Sequence, residues 1–214
     1  MEIIKNKALL LKLRHPQQVT TAIPKSKEVN GKVLVKWGVD ETQVLQNMNI
    51  NVPSPINGQY DWPGQHKPFE HQKGTAAFMT MNRRAFCFNE QGTGKTASAI
   101  WASDFLIKQG AIKRVLVICP LSIMDSAWRN DLFNFAMHRS VGVAYGAAGK
   151  RRKIISGGAE NIIINYDGVA IVADDIVSGG FDLIIVDEAT HYKNVQTSRW
   201  KTLSKILKPE TWIW

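Results

Sequence analysis

An α/β fold, a parallel sheet with helices on both faces, is predicted by three observations. From residue 84 onward, short apolar runs alternate with helix-length amphipathic segments; parallel strands need such crossovers, and the crossovers cover the sheet. A glycine-rich loop, Asn89-Glu90-Gln91-Gly92-Thr93-Gly94-Lys95-Thr96, falls between one apolar run and the helix that follows it. A later run, Phe181-Asp182-Leu183-Ile184-Ile185-Val186, leads straight into the acidic pair Asp187-Glu188.

Composition bounds the rest. With 214 residues, 44% hydrophobic and 21% charged, the chain can bury one good core and a small appendage. Its 27 Lys and Arg outnumber 18 Asp and Glu, a formal net charge of +9, which suits a polyanionic partner such as nucleic acid and equally a lysine-rich solvated surface. Cys87 and Cys119 both fall in apolar runs that read as strands, so two buried, reduced thiols and a cytoplasmic setting are expected. No run of 18 apolar residues is present and Met1-Glu2-Ile3-Ile4-Lys5 opens no signal-peptide pattern, so neither membrane insertion nor secretion is expected.

Residues 1–50 read as a small β-rich element. Ala8–Leu13, Val19–Ile23 and Lys32–Trp37 look like strands, and Asn30-Gly31 is a hairpin-turn signal. Eight Lys and Arg face three acids over residues 1–40, a net +5. Asp40 is a candidate cap for a short helix bearing Val44, Leu45 and Met48. Residues 51–66, rich in proline and glycine, read as a connector to a third segment, residues 67–214.

That segment opens with Pro68-Phe69-Glu70-His71-Gln72 and a helix through Met79. The Gln72 amide offers one acceptor and two donors, enough to read an adenine edge. Arg84–Phe88 reads as the buried strand before the glycine-rich loop, and Thr96, Ala97, Ile100, Trp101, Phe105 and Leu106 give the next helix one apolar face. In the loop itself, Gly92 and Gly94 bring bare backbone N–H groups against phosphate oxygens, Lys95 supplies a point charge, and the Thr96 hydroxyl suits Mg²⁺. Position 89 carries Asn where the full phosphate-loop pattern has Gly; Asn tolerates the left-handed conformation, so the turn survives.

Arg114–Cys119 is the next strand, with Ser122 a candidate N-cap for a helix burying Ile123, Trp128, Leu132 and Phe135. Val141–Tyr145 follows as a strand, then Lys150-Arg151-Arg152-Lys153, a run that reads as a solvated face or a phosphate contact. Asn161–Tyr166 is a further strand, with Asp167 capping a helix through Ile176. The Phe181–Val186 strand then delivers Asp187 and Glu188 to a carboxyl edge, where the first would hold Mg²⁺ and the second polarise an attacking water. The 92 residues from Lys95 to Asp187 leave room for the intervening strand–helix units.

With both nucleotide motifs placed, the segment from Pro68 to Trp214 resembles the superfamily-two helicases and translocases, most closely the Swi/Snf-like DNA-dependent ATPases, including phage helicase-like proteins. Gln72 sits where that family's adenine-reading glutamine lies. Gln91-Gly92-Thr93-Gly94-Lys95-Thr96 is similar to motif I, Pro120-Leu121-Ser122 to motif Ia, Asn165-Tyr166 to the strand end before motif II, and Asp187-Glu188-Ala189-Thr190 with Lys193-Asn194 to the D-E-A-H box and its trailing K-N. The resemblance implies a RecA-like P-loop lobe that binds ATP and Mg²⁺, with Gln72 and residues 91–96 on the nucleotide, Lys95, Asp187 and Glu188 in catalysis, and Thr96 and Asp187 on the metal. It also implies a nucleic-acid partner, DNA first, reached through Pro120, Leu121, Ser122 and Tyr166, and a monomeric motor without membrane attachment.

Two departures stand out. Thr190 replaces the box histidine, with His191 adjacent, and the sequence stops at Trp214 just before motif III. A second RecA-like lobe, in cis or from a partner motor, is therefore expected to complete the enzyme, and this chain alone is expected to turn ATP over very slowly. A single-lobe nucleotide-binding or interaction module, or another kind of P-loop NTPase, are the alternative readings.

Overall fold

The computed structural model describes residues 1–90 and 92–214; Gln91, expected at the nucleotide, lies outside the described residues. The chain divides into two compact units, Met1–Asp61 and Trp62–Trp214.

The first unit is an antiparallel sheet with helices against one face. Its elements are β1 (Glu2–Ile4), β2 (Ala8–Leu11), α1 (Pro16–Ala22), β3 (Lys27–Val29), β4 (Lys32–Lys36), α2 (Val39–Asn47) and α3 (Ile56–Gln59), with strand order β1-β2-β4-β3. Asn30 and Gly31 both take positive φ, 50° and 70°, and pair Val29 with Lys32 across the turn, the backbone a two-residue hairpin needs. Val19–Ile23 is not the expected strand. Pro16 stands at the helix start, where its missing N–H costs nothing, and Val19 and Ile23, one turn apart, drop onto the same core as Leu9, Leu11, Val33 and Val35. Asp40 lies in the first turn of α2; Gly38 is the cap position.

The second unit carries the parallel sheet. After α4 (Glu70–Met81) and α5 (Lys95–Lys108) come β5 (Val115–Cys119), α6 (Asn130–Ala136), β6 (Val141–Ala144), α7 (Ala148–Ser156), β7 (Asn161–Asn165), α8 (Tyr166–Ile171), α9 (Ala173–Ser178), β8 (Leu183–Val186), α10 (Ser198–Ile206) and β9 (Trp212–Ile213). The order β6-β7-β5-β8-β9 is parallel throughout. Leu116, Ile118, Ile162, Ile164 and Ile184 face a core shared with Val169, Ile176, Leu203 and Ile206, while Val117, Ile163 and Ile185 are buried on the opposite face. Both faces are therefore covered, as the continuous apolar strands demanded.

Three expectations need correction here. The run Arg84–Phe88 forms one bridge, Arg84 with Ile213, and Phe86 and Phe88 stand 70% and 89% exposed, their rings stacked 5.8 Å apart. The neighbouring β9 has two residues and offers rungs around Arg83–Ala85, so among the described residues nothing extends the ladder. Helix α5 is buried all round from Ala97 to Leu106 rather than along one stripe. Cys87 is only partly buried, while Cys119 is fully enclosed; both are free thiols.

Beyond β5 the chain does not enter an ordinary helix. Leu121–Ile123 makes a 3₁₀ turn and Met124–Arg129 a π turn before α6 begins, so Ser122 caps nothing. The basic run lies on α7, yet Arg151 is 5% exposed, donating to the carbonyls of Ala144 and Gly146 and to Asn165 Oδ1. It ties the ends of β6 and β7 together instead of reaching solvent. Asn165, not Asp167, stands at the start of α8, and the expected single helix is two.

At the amino-terminal edge of the sheet, charges serve structure. Asp104 on α5 accepts from Arg139 at 2.6 Å and lies 2.8 Å from His138 Nε2, and Arg139 reaches Glu160 at 2.6 Å. The Asp182 carboxylate accepts the N–H groups of Lys113 and Arg114.

Candidate functional site

Gly94 stands at the N-cap of α5, and it and Gly92 are left-handed, φ 77° and 80°. A Cβ at Gly94 would lie 2.2 Å from Gln72 Nε2, so the conformation favours glycine there and any side chain would have to push the Gln72 amide aside. The loop is pinned from α4: Gln72 Nε2 donates to the Thr93 carbonyl at 3.2 Å, and His71 Nε2 lies 3.1 Å from the same oxygen. Gln72 Oε1 meanwhile accepts the Phe69 N–H at 3.0 Å. An amide has two donors and two lone pairs, so one of each remains for a ligand.

Asn89 supports the loop differently from expectation. It is not among the left-handed residues; its side chain donates to Thr75 Oγ1 at 2.8 Å and its carbonyl accepts from Lys95. Lys95 Nζ bonds the Asn89 and Glu90 carbonyls, both at 2.8 Å, and Thr93 Oγ1 donates to the Glu90 carbonyl. The ammonium is thus folded over its own loop, at the amino end of a fourteen-residue helix whose dipole and free N–H groups favour anions. Beside it, Gln65, Lys67, Phe69, Gln72, Trp101 and Phe135 line a cavity of about 430 Å³. Its aromatic and amide lining is of a kind that holds a planar base. Phe69, exposed and stacked on His71 at 5.7 Å, was not singled out in the sequence; an aromatic three residues before the glutamine was the available signal.

The acidic pair lies at the carboxyl edge of β8. Register pairs Val186 with Ile118, and the Asp187 N–H donates to the Ile118 carbonyl at 2.9 Å. The Asp187 carbonyl accepts the Tyr166 hydroxyl, and Asp187 Oδ2 accepts the Trp128 indole N–H at 2.8 Å. Burial, then the charges of Asp187 and Glu188, push the Tyr166 hydroxyl well above its ordinary value, keeping it a donor. Burial beside Asp187 pushes the Cys119 thiol up to about 12. Glu188 takes φ 54° and ψ 58°, a left-handed conformation that costs about 1–3 kcal/mol in a non-glycine residue and is found at functional sites.

His191, not Thr190, meets the glutamate: His191 Nε2 lies 3.8 Å from Glu188 Oε2, and its ring sits 4.7 Å from that of Tyr166. Thr190 Oγ1 points back to the Glu188 carbonyl at 3.4 Å. Arg199 on α10 spans His191 Nδ1 and Asp167 Oδ1, at 3.3 and 2.7 Å. Among the residues expected at nucleic acid, Leu121 and Ser122 are exposed and Pro120 half-buried, whereas Tyr166 is buried with its hydroxyl committed to Asp187.

Among the described residues no group of three or more His, Cys, Asp or Glu could hold a metal. Mg²⁺ does not need one, since it binds through one or two protein oxygens plus phosphates and waters; a carboxylate with a free oxygen and a threonine hydroxyl fit that donor set. Among the same residues, no helix is long and apolar enough to cross a membrane.

Residues 32–214 match the SNF2-related domain. Among solved structures, the chain is similar to the Sulfolobus solfataricus SWI2/SNF2 ATPase core in complex with dsDNA, at 26% identity and TM-score 0.60, covering 71% of this chain and 32% of that one. It is similar also to the S. solfataricus SWI2/SNF2 ATPase core domain, at 26% identity and TM-score 0.56, covering 70% and 31%. The chain thus spans about a third of the structures it matches. No curated protein matches it.

Proposed function

The chain belongs to the SNF2-related family, and from that premise we propose that it is the nucleotide-binding RecA-like lobe of a DNA-dependent ATPase motor, the lobe occupying residues 67–214 behind a basic element and a connector. The observation that carries this reading is the arrangement in which Gln72 grips Thr93 while Gly94 and Lys95 open α5. One residue serves the base and the phosphate loop together.

In the proposed cycle, the adenine enters beside the exposed Phe69, and Gln72 reads its edge with the donor and lone pair left over from its own bonds. The Lys95 ammonium exchanges the Asn89 and Glu90 carbonyls for β- and γ-phosphate oxygens, against which the bare backbone of Gly92 and Gly94 can close. Thr96 and Asp187 would hold Mg²⁺, which would neutralise charge on the phosphates. Glu188 orients the attacking water, and His191 and Tyr166 hold the turn that carries it. A second lobe, in cis or from a partner, would supply the arginine that stabilises the transition state, a contribution of about 10³–10⁵ in rate where measured in phosphoryl transfer.

Leu121 and Ser122 offer the exposed surface through which DNA would be felt, and the dsDNA-bound state of the S. solfataricus core supports DNA as the polymer. The test is ATP turnover by this chain, and by any longer product of its gene, with and without duplex DNA. Slow, DNA-insensitive turnover by the 214 residues and DNA-stimulated turnover by a two-lobe product are expected. DNA-stimulated turnover by this chain alone would show that one lobe suffices.

A further inference from the structure

We propose that Trp128 is a positioning residue for the metal carboxylate, setting the rotation of Asp187 through its indole N–H; this rests on the nucleotide-site reading above. The backbone of Asp187 is already fixed on both sides, its N–H on Ile118 and its carbonyl under Tyr166. What the backbone leaves free are the two side-chain torsions, the last of which is, for a carboxylate, broad and roughly two-fold. Among the described residues one donor, Trp128 Nε1, meets Oδ2, at 2.8 Å.

The chemistry of that donor matters. An indole donates and cannot accept, and it carries no charge. It therefore fixes one carboxylate oxygen without neutralising the anion, leaving the other oxygen for a cation. An arginine or lysine in its place would compete with the metal for the same charge.

The indole is itself held firmly. Trp128 is 2% exposed and sits on the π turn Met124–Arg129, whose Met124 is equally buried. A wide turn of this kind is rare, recurs at functional sites, and shifts the phase of the residues that follow by about 100°, the angular step of one helical residue. An N–H aimed at the Asp187 carboxylate makes the direction of the ring, and not only its bulk, significant.

Two experiments on the 214-residue chain test this. In the first, ATP binding is titrated with Mg²⁺ and with EDTA, for wild type and Trp128→Phe, which keeps an aromatic ring and removes the N–H. The expected result is that affinity in EDTA stays within about twofold while the gain conferred by Mg²⁺ falls about tenfold, the scale of one hydrogen bond to a charged group. An equal loss in both conditions, or none in either, would overturn the proposal, since a packing role does not distinguish the two.

The second leaves Trp128 in place. With ¹⁵N-indole labelling, the Trp128 N–H resonance is expected downfield in the wild type and shifted upfield in Asp187→Asn, with the other tryptophans unmoved. An unmoved Trp128 resonance would contradict the contact even if Trp128→Phe fails to fold. Failure of the nucleotide reading itself would show in the wild type, as ATP binding without any Mg²⁺-dependent gain.

Discussion

Gln72 Nε2 lies 3.2 Å from the Thr93 carbonyl and would lie 2.2 Å from any Cβ at Gly94. In the proposed reading, base recognition and the phosphate loop therefore share one side chain. Replacing Gln72 with Ala removes a neutral hydrogen bond on each side, each worth about 1 kcal/mol. ATP affinity is expected to fall about tenfold and the preference for ATP over GTP to shrink, as read by competition binding. Undiminished preference for ATP would place base recognition elsewhere.

Gly94→Ala tests the loop rather than the base. A left-handed L-residue costs about 1–2 kcal/mol, and the new methyl group must displace the Gln72 amide. A chain that melts a few degrees lower and binds ATP at least tenfold more weakly is expected from thermal melting and calorimetric titration.

Glu188→Gln keeps the size and hydrogen-bonding capacity of the side chain but removes its basicity. Nucleotide binding should persist, with turnover in a two-lobe product reduced by about 10²–10⁴. A comparable loss of binding would mean that Glu188 holds the ligand and not the water.

Stability should depend on acid through the opposite edge of the sheet. Burial opposes the charge of Glu160, but hydrogen bonds from Ser140 and Arg139 outweigh it and hold the carboxyl below its ordinary value. A carboxyl depressed in the folded state contributes stability above its unfolded value and loses it as pH falls through the folded one. Because the side chain is 31% exposed, the effect should stay within about 3 °C. Melting temperature should therefore drop more steeply below about pH 4 in the wild type than in Glu160→Gln; parallel curves would remove Glu160 from the account.

The two thiols should differ in reactivity. Cys119 is sealed and its thiol pushed up to about 12, whereas Cys87 is partly exposed. Mass spectrometry after iodoacetamide treatment of the native chain should find Cys87 modified and Cys119 only after unfolding.

Most of the sheet was legible because parallel strands buried on both faces must be apolar throughout, and Val115–Cys119, Asn161–Asn165 and Leu183–Val186 are. Val19–Ile23 misled because two β-branched residues a turn apart suit a helix face as well as a strand, and Pro16 decided the matter. Arg84–Phe88 misled for the opposite reason: its residues suit a strand, but strand formation depends on a neighbour, and β9 is too short to serve.

At the site, Gly92, Gly94, Lys95 and the acidic pair announced themselves through spacing. The bond from Trp128 to Asp187 did not, since it joins residues 59 apart in the chain through a π turn that no periodicity encodes. Nor did the burial of Arg151, whose partners are two carbonyls and an amide rather than a carboxylate that charge patterning could have suggested.

The most direct measurement is calorimetric titration of ATP with Mg²⁺ into this chain and into Lys95→Ala. In the proposed reading Lys95 supplies the phosphate-facing charge, and losing charge-assisted hydrogen bonds of about 1.5–3 kcal/mol should weaken binding roughly ten- to hundredfold while leaving the fold intact. Equal affinity in the two proteins would contradict the assignment of this loop as the nucleotide site.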